Sequence, residues 1–405
     1  MDYIYIPIKF VINLTTSIIT SNIFIYIFIF WSILCYFLVK HIIKQTEKYR
    51  IVKPENEKFH AKYQTFRRLD GDKWGFLSFY LGAVFLSAPR IIGFIISTFI
   101  CWFLCKVVCC FQEPTSRLSL FRRRVIAKIG SLTGAFHMFI FGVRWTVKES
   151  NFDYSPYLGK DYNKENISDK AITHICNHIG WVDILSFMGI EHAGFIARIE
   201  VKSYPLIGYI AQSLFSVFVD RHDKNDRNSV MNQLKERQKS KAEGTSENNL
   251  LVFPEGSSSN ATTLLEFKRG AFLDRYYSVK PYVIILDPHS VSLAMDVIEM
   301  GYHFFFIISI PFHHYDLLSM PVFHPNDWMY KNSPFKGQDD WKVYADCVRD
   351  AMSKASGLPK ATSVYEDKVQ YLKILRSGEK LPTNEEMDKQ ELSEKDNKVE
   401  TKKSK

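Results

Sequence analysis

HICNHIGWVD, residues His174–Asp183, is the stretch on which the reading of this chain turns. A β-like run (Ala171, Ile172, Thr173) precedes it, and an apolar pattern of helical period follows (Ile184, Leu185, Phe187, Met188). This order predicts a strand-to-helix turn, a place where polar chemistry collects. On a regular helix His178 and Asp183 would lie about 140° apart, too far to pair. A turn ending near Asp183 instead folds the carboxylate back onto the imidazole and fixes its tautomer, the orienting role of a catalytic carboxylate.

Working outward, strand and helix patterns alternate. Phe136–Val147 is apolar enough for a first strand or an interfacial helix. Ala171–Cys176, Gly194–Arg198, Phe215–Val219, Leu250–Phe253 and Val279–Leu286 read as strands, and Ile184–Gly189, Tyr204–Leu214 and Asn228–Lys241 as helices. The expected fold class is therefore α/β, a mixed and mostly parallel sheet flanked by helices, with sites where strands end.

Three further clusters fall at such ends. Arg198-Ile199-Glu200 closes one strand, with Pro205 and Gly208 behind it, and Asp220-Arg221 closes the next. Two arginines on one rim suit a phosphate. Phe253-Pro254-Glu255-Gly256-Ser257-Ser258-Ser259-Asn260 runs from a buried strand into a turn. There Gly256 allows close approach, and backbone N–H groups with serine hydroxyls can cradle a phosphate or an oxyanion. Phe267-Lys268-Arg269-Gly270 then sets two cations beside a glycine, and the strand around Lys280-Pro281 closes the pocket wall.

The amino-terminal third is different. Phe10–Val39 carries no charge and is long enough to span a bilayer as a retained anchor. Basic residues follow (Lys40, Lys44, Lys48, Arg50, Lys53), placing that side in the cytosol. A second apolar segment, Gly75–Phe111, is broken by Pro89-Arg90. Each half makes only about 22 Å of helix, short of the ~30 Å hydrocarbon core. Both flanks are basic, so a re-entrant hairpin bent at Pro89 is preferred over a single tilted span, with Arg90 buried in protein or reaching headgroups.

The expected organisation is a transmembrane anchor over 1–45, a basic cytosolic linker over 46–73, and a membrane hairpin or second span over 74–111. A catalytic domain over 112–330, a C-terminal helical extension over 331–380 and a charged disordered tail over 381–405 complete it. Phe304–Ile310 reads as a buried strand or interfacial patch, His313 and His314 as surface residues, and Trp341–Ser353 as an amphipathic helix.

Composition narrows the function. The 405 residues carry net charge +9 and are 15% aromatic. With no nucleic-acid motif, this balance points to a lipid bilayer or an anionic substrate and away from nucleic acid. The seven cysteines show no metal-type spacing and no disulfide framework.

The four clusters, Asn177-His178 to Asp183, Arg198-Ile199-Glu200 with Pro205 and Gly208, Phe253-Pro254-Glu255-Gly256, and the Lys280-Pro281 strand, resemble in order the four blocks of the glycerolipid acyltransferases. The similarity covers roughly 118–326. The FPEGSSSN and FKRGAF stretches look most like lysophosphatidylcholine and lysophosphatidylethanolamine acyltransferases. Two departures stand out. Ile179 and Gly180 occupy an interval where a small polar residue is usual, and Ser257-Ser258 stand where lysophosphatidic acid acyltransferases place Thr-Arg.

The resemblance implies transfer of an acyl group from acyl-CoA, as co-substrate and without another cofactor or metal, to a lysophospholipid hydroxyl. His178 and Asp183 would be catalytic, and Arg198, Glu200, Arg221, Glu255, Gly256, Ser257 and Lys268 substrate-binding. Lys402-Lys403 resemble a dilysine retrieval signal, implying an endoplasmic reticulum membrane with the catalytic domain in the cytosol. Alternatives are a lysophosphatidic acid or glycerol-3-phosphate acyltransferase, a CoA-independent transacylase, a metal hydrolase using His174, His178 and Asp183, and a non-catalytic membrane lipid-binding protein.

Overall fold

Leu250, Leu251 and Val252 are all buried, the pattern of a strand covered on both faces. They form one of seven strands in a computed structural model that describes residues 22–114, 118–160, 162, 173–191, 194–220, 224–244 and 249–390. In chain order the main elements are α1 (Asn22–Arg50), α2 (Phe76–Val108), α3 (Leu120–Ile140), β1 (Val143–Glu149), β2 (Thr173–Cys176) and α4 (Trp181–Glu191). β3 (Gly194–Arg198), α5 (Ile207–Ser213), β4 (Val217–Val219), α6 (Lys224–Ala242), β5 (Leu250–Val252) and β6 (Val279–Leu286) follow. α7 (Met300–Ser309), β7 (His313–Ser319), α8 (Asp340–Ser356) and α9 (Tyr365–Ser377) close the series.

The strands lie in the order β1-β7-β6-β2-β5-β3-β4. All neighbours are parallel except β6 and β7. This is the expected mixed, mostly parallel sheet. The period of two divides its side chains between layers. Tyr282 and Ile284 join Met138, Val182 and Phe187 on one face, whereas Val279 and Val283 join Leu234, Tyr344 and Val348 on the other. Pro281 is tolerated inside β6 because the ladder to β7 begins only at Tyr282.

Several sequence expectations are corrected. Phe76–Val108 runs as one continuous helix, not a hairpin bent at Pro89. Pro89 follows closely on a π-helical stretch over Ala83–Ser87, whose altered hydrogen-bond spacing accommodates a residue without an N–H inside the continuous run. Arg90 is buried in protein. Its guanidinium donates to the carbonyls of Ile308 (3.0 Å) and Pro311 (2.7 Å), capping the end of α7. Phe304–Ile310 falls almost wholly within that helix and is no strand, since α7 packs Phe306, Ile307 and Ile308 into the core. His313, expected at the surface, is buried on β7 with Nε2 3.1 Å from the Ile307 carbonyl, whereas His314 points out.

Residues 46–73 are no free linker. Phe59, Tyr63 and Phe66 are buried in a third cluster with Tyr371 and Leu375 of α9. Arg68, 1% exposed, donates to the Ala294 carbonyl at 2.6 Å and to Asp70 at 2.9 Å. α8 lies against the sheet, so the layered core runs past residue 330. The charged tail does not loosen at 381, because Asn56 donates to the carbonyls of Leu381 (3.1 Å) and Pro382 (2.9 Å) and Met387 is buried. Residues 391–405, including Lys402-Lys403, lie outside the described residues, as do 1–21 of the proposed anchor.

Asn260 joins this amino-terminal segment to the sheet edge, with Nδ2 donating to the carbonyls of Gln64 (2.7 Å) and Arg67 (2.8 Å). Asn260→Ala strands both carbonyls, and is expected to lower stability by about 1–3 kcal/mol. Denaturant unfolding of the purified protein checks this; an unchanged midpoint would remove the clamp from the account.

Candidate active site

β2, β5, β3 and β4 are mutually parallel, so their carboxyl ends share one edge of the sheet. His178 follows β2, Glu255 follows β5, and Arg198 ends β3. Adjacent strands lie about 4.8 Å apart, so Arg198 sits roughly 10 Å along the rim from the end of β2. Arg198 and Glu200 are exposed there, in position to meet a ligand but in no contact with the histidine. Arg221, the other expected rim arginine, lies outside the described residues.

The centre is the loop from Asn177 to Gly180. Asn177 anchors its start, donating to the Ile284 carbonyl at 3.0 Å and accepting from the Ile284 N–H at 2.7 Å. Asp183, in the first turn of α4, reaches back as expected. Its Oδ2 accepts from His178 Nδ1 (2.8 Å), the Ile179 N–H (2.7 Å) and the Gly180 N–H (3.2 Å). With Nδ1–H given to the carboxylate, Nε2 keeps its lone pair. The imidazole is stacked on Phe253, centroids 4.1 Å apart, and its side chain remains 22% exposed. One face is therefore fixed while the ring can still meet a substrate.

Gly180 departs from the block pattern for a visible reason. A Cβ there would stand 3.0 Å from the Met295 Cβ, and its bare N–H completes the set around Asp183.

The third block brackets the histidine from the other side. Glu255 Oε2 accepts the His178 N–H (2.9 Å) and Oε1 the Leu265 N–H (2.8 Å), and the Ser259 N–H donates to the His178 carbonyl (2.8 Å). Glu255 is thus a brace, and burial pushes its carboxyl up to about 7, partly offset by those two N–H groups. Between these attachments Gly256–Ser258 form an arch, with Gly256 at φ +66°. The Gly256 N–H turns inward to the Phe253 carbonyl (3.1 Å), so it is not the oxyanion donor the sequence suggested. Lys268 is exposed, and its stem would lie 3.5 Å from a Cβ on Gly256. Ser257 is buried in the arch.

Sequence reasoning missed the bracing by Asn177, Phe253 and Ser259, and the hydrogen bond from Trp181 Nε1 to His303 Nδ1 (2.9 Å). The FPEG stretch marked Phe253, but nothing local signalled its ring contact with His178. His174 is buried against Tyr282, ring centroids 5.9 Å apart. Among the described residues, no three His, Cys, Asp or Glu side chains gather where they could hold a metal ion.

The family model described as Acyltransferase matches residues 160–279. Lysophospholipid acyltransferase LPEAT1 of Arabidopsis thaliana is 29% identical over 61% of this chain and 63% of its own length. Lysophosphatidylcholine acyltransferase 2 of Rattus norvegicus is 26% identical over 65% of this chain and 44% of its own. This chain therefore spans between about half and three fifths of the length of these relatives. Among solved structures, the LPA acyltransferase PlsC of Thermotoga maritima is aligned with 67% of this chain and all of its own at 17% identity. Its TM-score of 0.39 is too low to bear on the fold. The histidine–aspartate turn and the third block, brought together at one sheet edge, both lie within the 160–279 span that the Acyltransferase model matches.

Proposed function

We propose that this chain is a membrane-bound lysophospholipid O-acyltransferase that uses acyl-CoA as donor. The carrying observation is the 2.8 Å contact of His178 Nδ1 with Asp183, which leaves Nε2 as the base on a partly exposed ring. Nε2 takes the proton of the acceptor hydroxyl as its oxygen attacks the thioester carbonyl. Asp183 steadies the imidazolium that forms. The tetrahedral intermediate collapses with loss of the CoA thiolate, which recovers the proton from Nε2, so no acyl-enzyme is needed. Arg198 and Lys268, exposed near this edge, suit the phosphates of acceptor or CoA.

α1 and α2 are long and apolar enough to cross a membrane and expose large side chains such as Phe30 (69%), Ile92 (57%) and Phe99 (51%). Basic residues at the end of α1, Lys48 and Arg50 among them, favour the cytosolic side, and the reading places the enzyme in the endoplasmic reticulum membrane. Ser258 in place of the usual arginine favours a headgroup-bearing acceptor over lysophosphatidic acid or glycerol phosphate.

Purified protein offered labelled acyl-CoA with lysophospholipids, lysophosphatidic acid or glycerol phosphate tests the reading. His178→Ala is expected to cut turnover by at least ~10²–10⁴-fold while unfolding as the wild type does. Full activity in that variant, or transfer without acyl-CoA, would reject the mechanism. Glu255→Gln sets an NH₂ group against one of two N–H donors. We expect a loss of about 1–3 kcal/mol in stability together with a fall in kcat.

The pH dependence of stability follows from the same carboxyl. Its folded value of about 7 exceeds the unfolded value of about 4.3, so the native state binds more protons between them and this residue's contribution declines as pH rises. Glu255→Gln should flatten that slope in unfolding curves recorded from about pH 4 to 8.

A further inference from the structure

The carbonyl of Ile179, inside the catalytic turn, is answered from outside the sheet. It accepts the Met295 N–H at 2.9 Å. A trans amide points its carbonyl and its N–H to opposite sides, so the Ala294 carbonyl of the same peptide unit faces away from the turn. There it accepts Arg68 Nη1 at 2.6 Å. The Ile179 carbonyl shares its own peptide unit with the Gly180 N–H, which donates to Asp183 Oδ2 at 3.2 Å. Three hydrogen bonds therefore run in one sense, from the guanidinium through amides 294–295 and 179–180 to the carboxylate that orients His178.

Hydrogen bonds aligned in this way polarise one another where water is excluded. Arg68 and Asp183 are each 1% exposed, and the chain of bonds begins on a charge-assisted donor. Among the described residues, Asp183 makes an ionic contact with His178 alone, and its Oδ1 meets no donor. The donors on Oδ2 thus decide how firmly that oxygen holds the imidazole. The guanidinium is itself fixed. Nη2 donates to the Ser292 carbonyl (2.7 Å) and to Asp70 (2.9 Å), and Asp70 accepts the Ser292 N–H (2.7 Å). Asp296 Oδ2 lies 3.4 Å from Nη1, and His303 Nε2 3.1 Å from the Leu293 carbonyl. Two carboxylates beside one guanidinium offset its field at a distance, so its effect on the turn passes through the bonded amides.

We infer that Arg68 is a positioning residue for the His178–Asp183 pair. By holding the 294–295 amide it keeps the Gly180 N–H aimed at Asp183 Oδ2, although it lies outside the 160–279 span that the family model matches. The inference rests on the reading that His178 is the base of an acyl transfer.

The deciding variant is a backbone ester at position 295, with oxygen in place of the Met295 N–H. It cuts the chain of bonds yet leaves Arg68, Asp70, Asp296 and the Glu255 carboxyl beside His178 untouched. The full chain in detergent micelles is assayed with acyl-CoA and lysophosphatidylcholine from about pH 5 to 9. The ester should lower kcat about three- to tenfold and leave both KM values within about twofold. The acid limb of its kcat profile should move to higher pH, because a carboxylate with a weakened donor stabilises the imidazolium better while aiming it less well. Arg68→Met should reproduce both changes, and Arg68→Lys should recover part of kcat.

A fall in kcat with an unmoved acid limb would mean only less folded enzyme and would overturn the inference, as would an ester that behaves as the wild type. Movement of the limb in Arg68→Met but not in the ester would reduce Arg68 to a through-space charge and overturn it too. If Arg68→Met fails to fold, the ester decides alone. Hydrogen exchange across residues 177–183 needs no turnover: faster exchange in the ester upholds the chain of bonds, and unchanged exchange overturns it. A wild type that transfers no acyl group while its ester exchanges faster there would sink the acyltransferase reading and leave the bonded path standing.

Discussion

One carboxylate oxygen organises the working edge of this protein. Asp183 Oδ2 collects an imidazole N–H and two backbone N–H groups from the three to five residues before it, turning the strand-to-helix junction into a tight knot. Without a charge at that point, Ile179 and Gly180 would lose an acceptor and the imidazole its orientation. The helix start adds to the effect, since a carboxylate in the first turn is favoured by the helix dipole. The orienting of the base and the local folding of the loop are therefore the same interaction.

The knot is held a second time by the third block. Glu255 and Ser259 bond the amide and carbonyl of His178, so that residue is fixed through its backbone as well as its ring. Placing the bracing glutamate in a buried site raises its proton affinity, and the two N–H groups it accepts offset part of that cost. The arch between these attachments is supported from the N-terminal segment by Asn260 and from the C-terminal helix by Lys368. Parts of the chain outside the matched family region thereby become structural supports of its site.

A similar economy governs the apolar helices. Arg90 sits in a segment long enough to cross a membrane, yet its guanidinium is spent on the free carbonyls that end α7. A charge that would be costly in hydrocarbon thus ties that helix to the α/β domain. Gly82 allows the same junction from about two turns further back, because any Cβ there would strike the Ser309 carbonyl at 1.6 Å.

The sequence by itself determined the strand and helix order through the middle of the chain, the pairing of His178 with Asp183, and the gathering of the blocks at strand ends. These are local facts, carried by periodicity, turn residues and short spacing. Tertiary structure alone decided that Pro89 opens a helical section instead of breaking a hairpin, that 46–73 is core, that Phe304–Ile310 is helical, and that the Gly256 N–H faces inward. Lys368 and Ser258 lie 110 positions apart, and Asn260 and Gln64 lie 196 apart. Such contacts leave no trace in local pattern, because burial and hydrogen-bond satisfaction are settled between elements only once the sheet has brought them together.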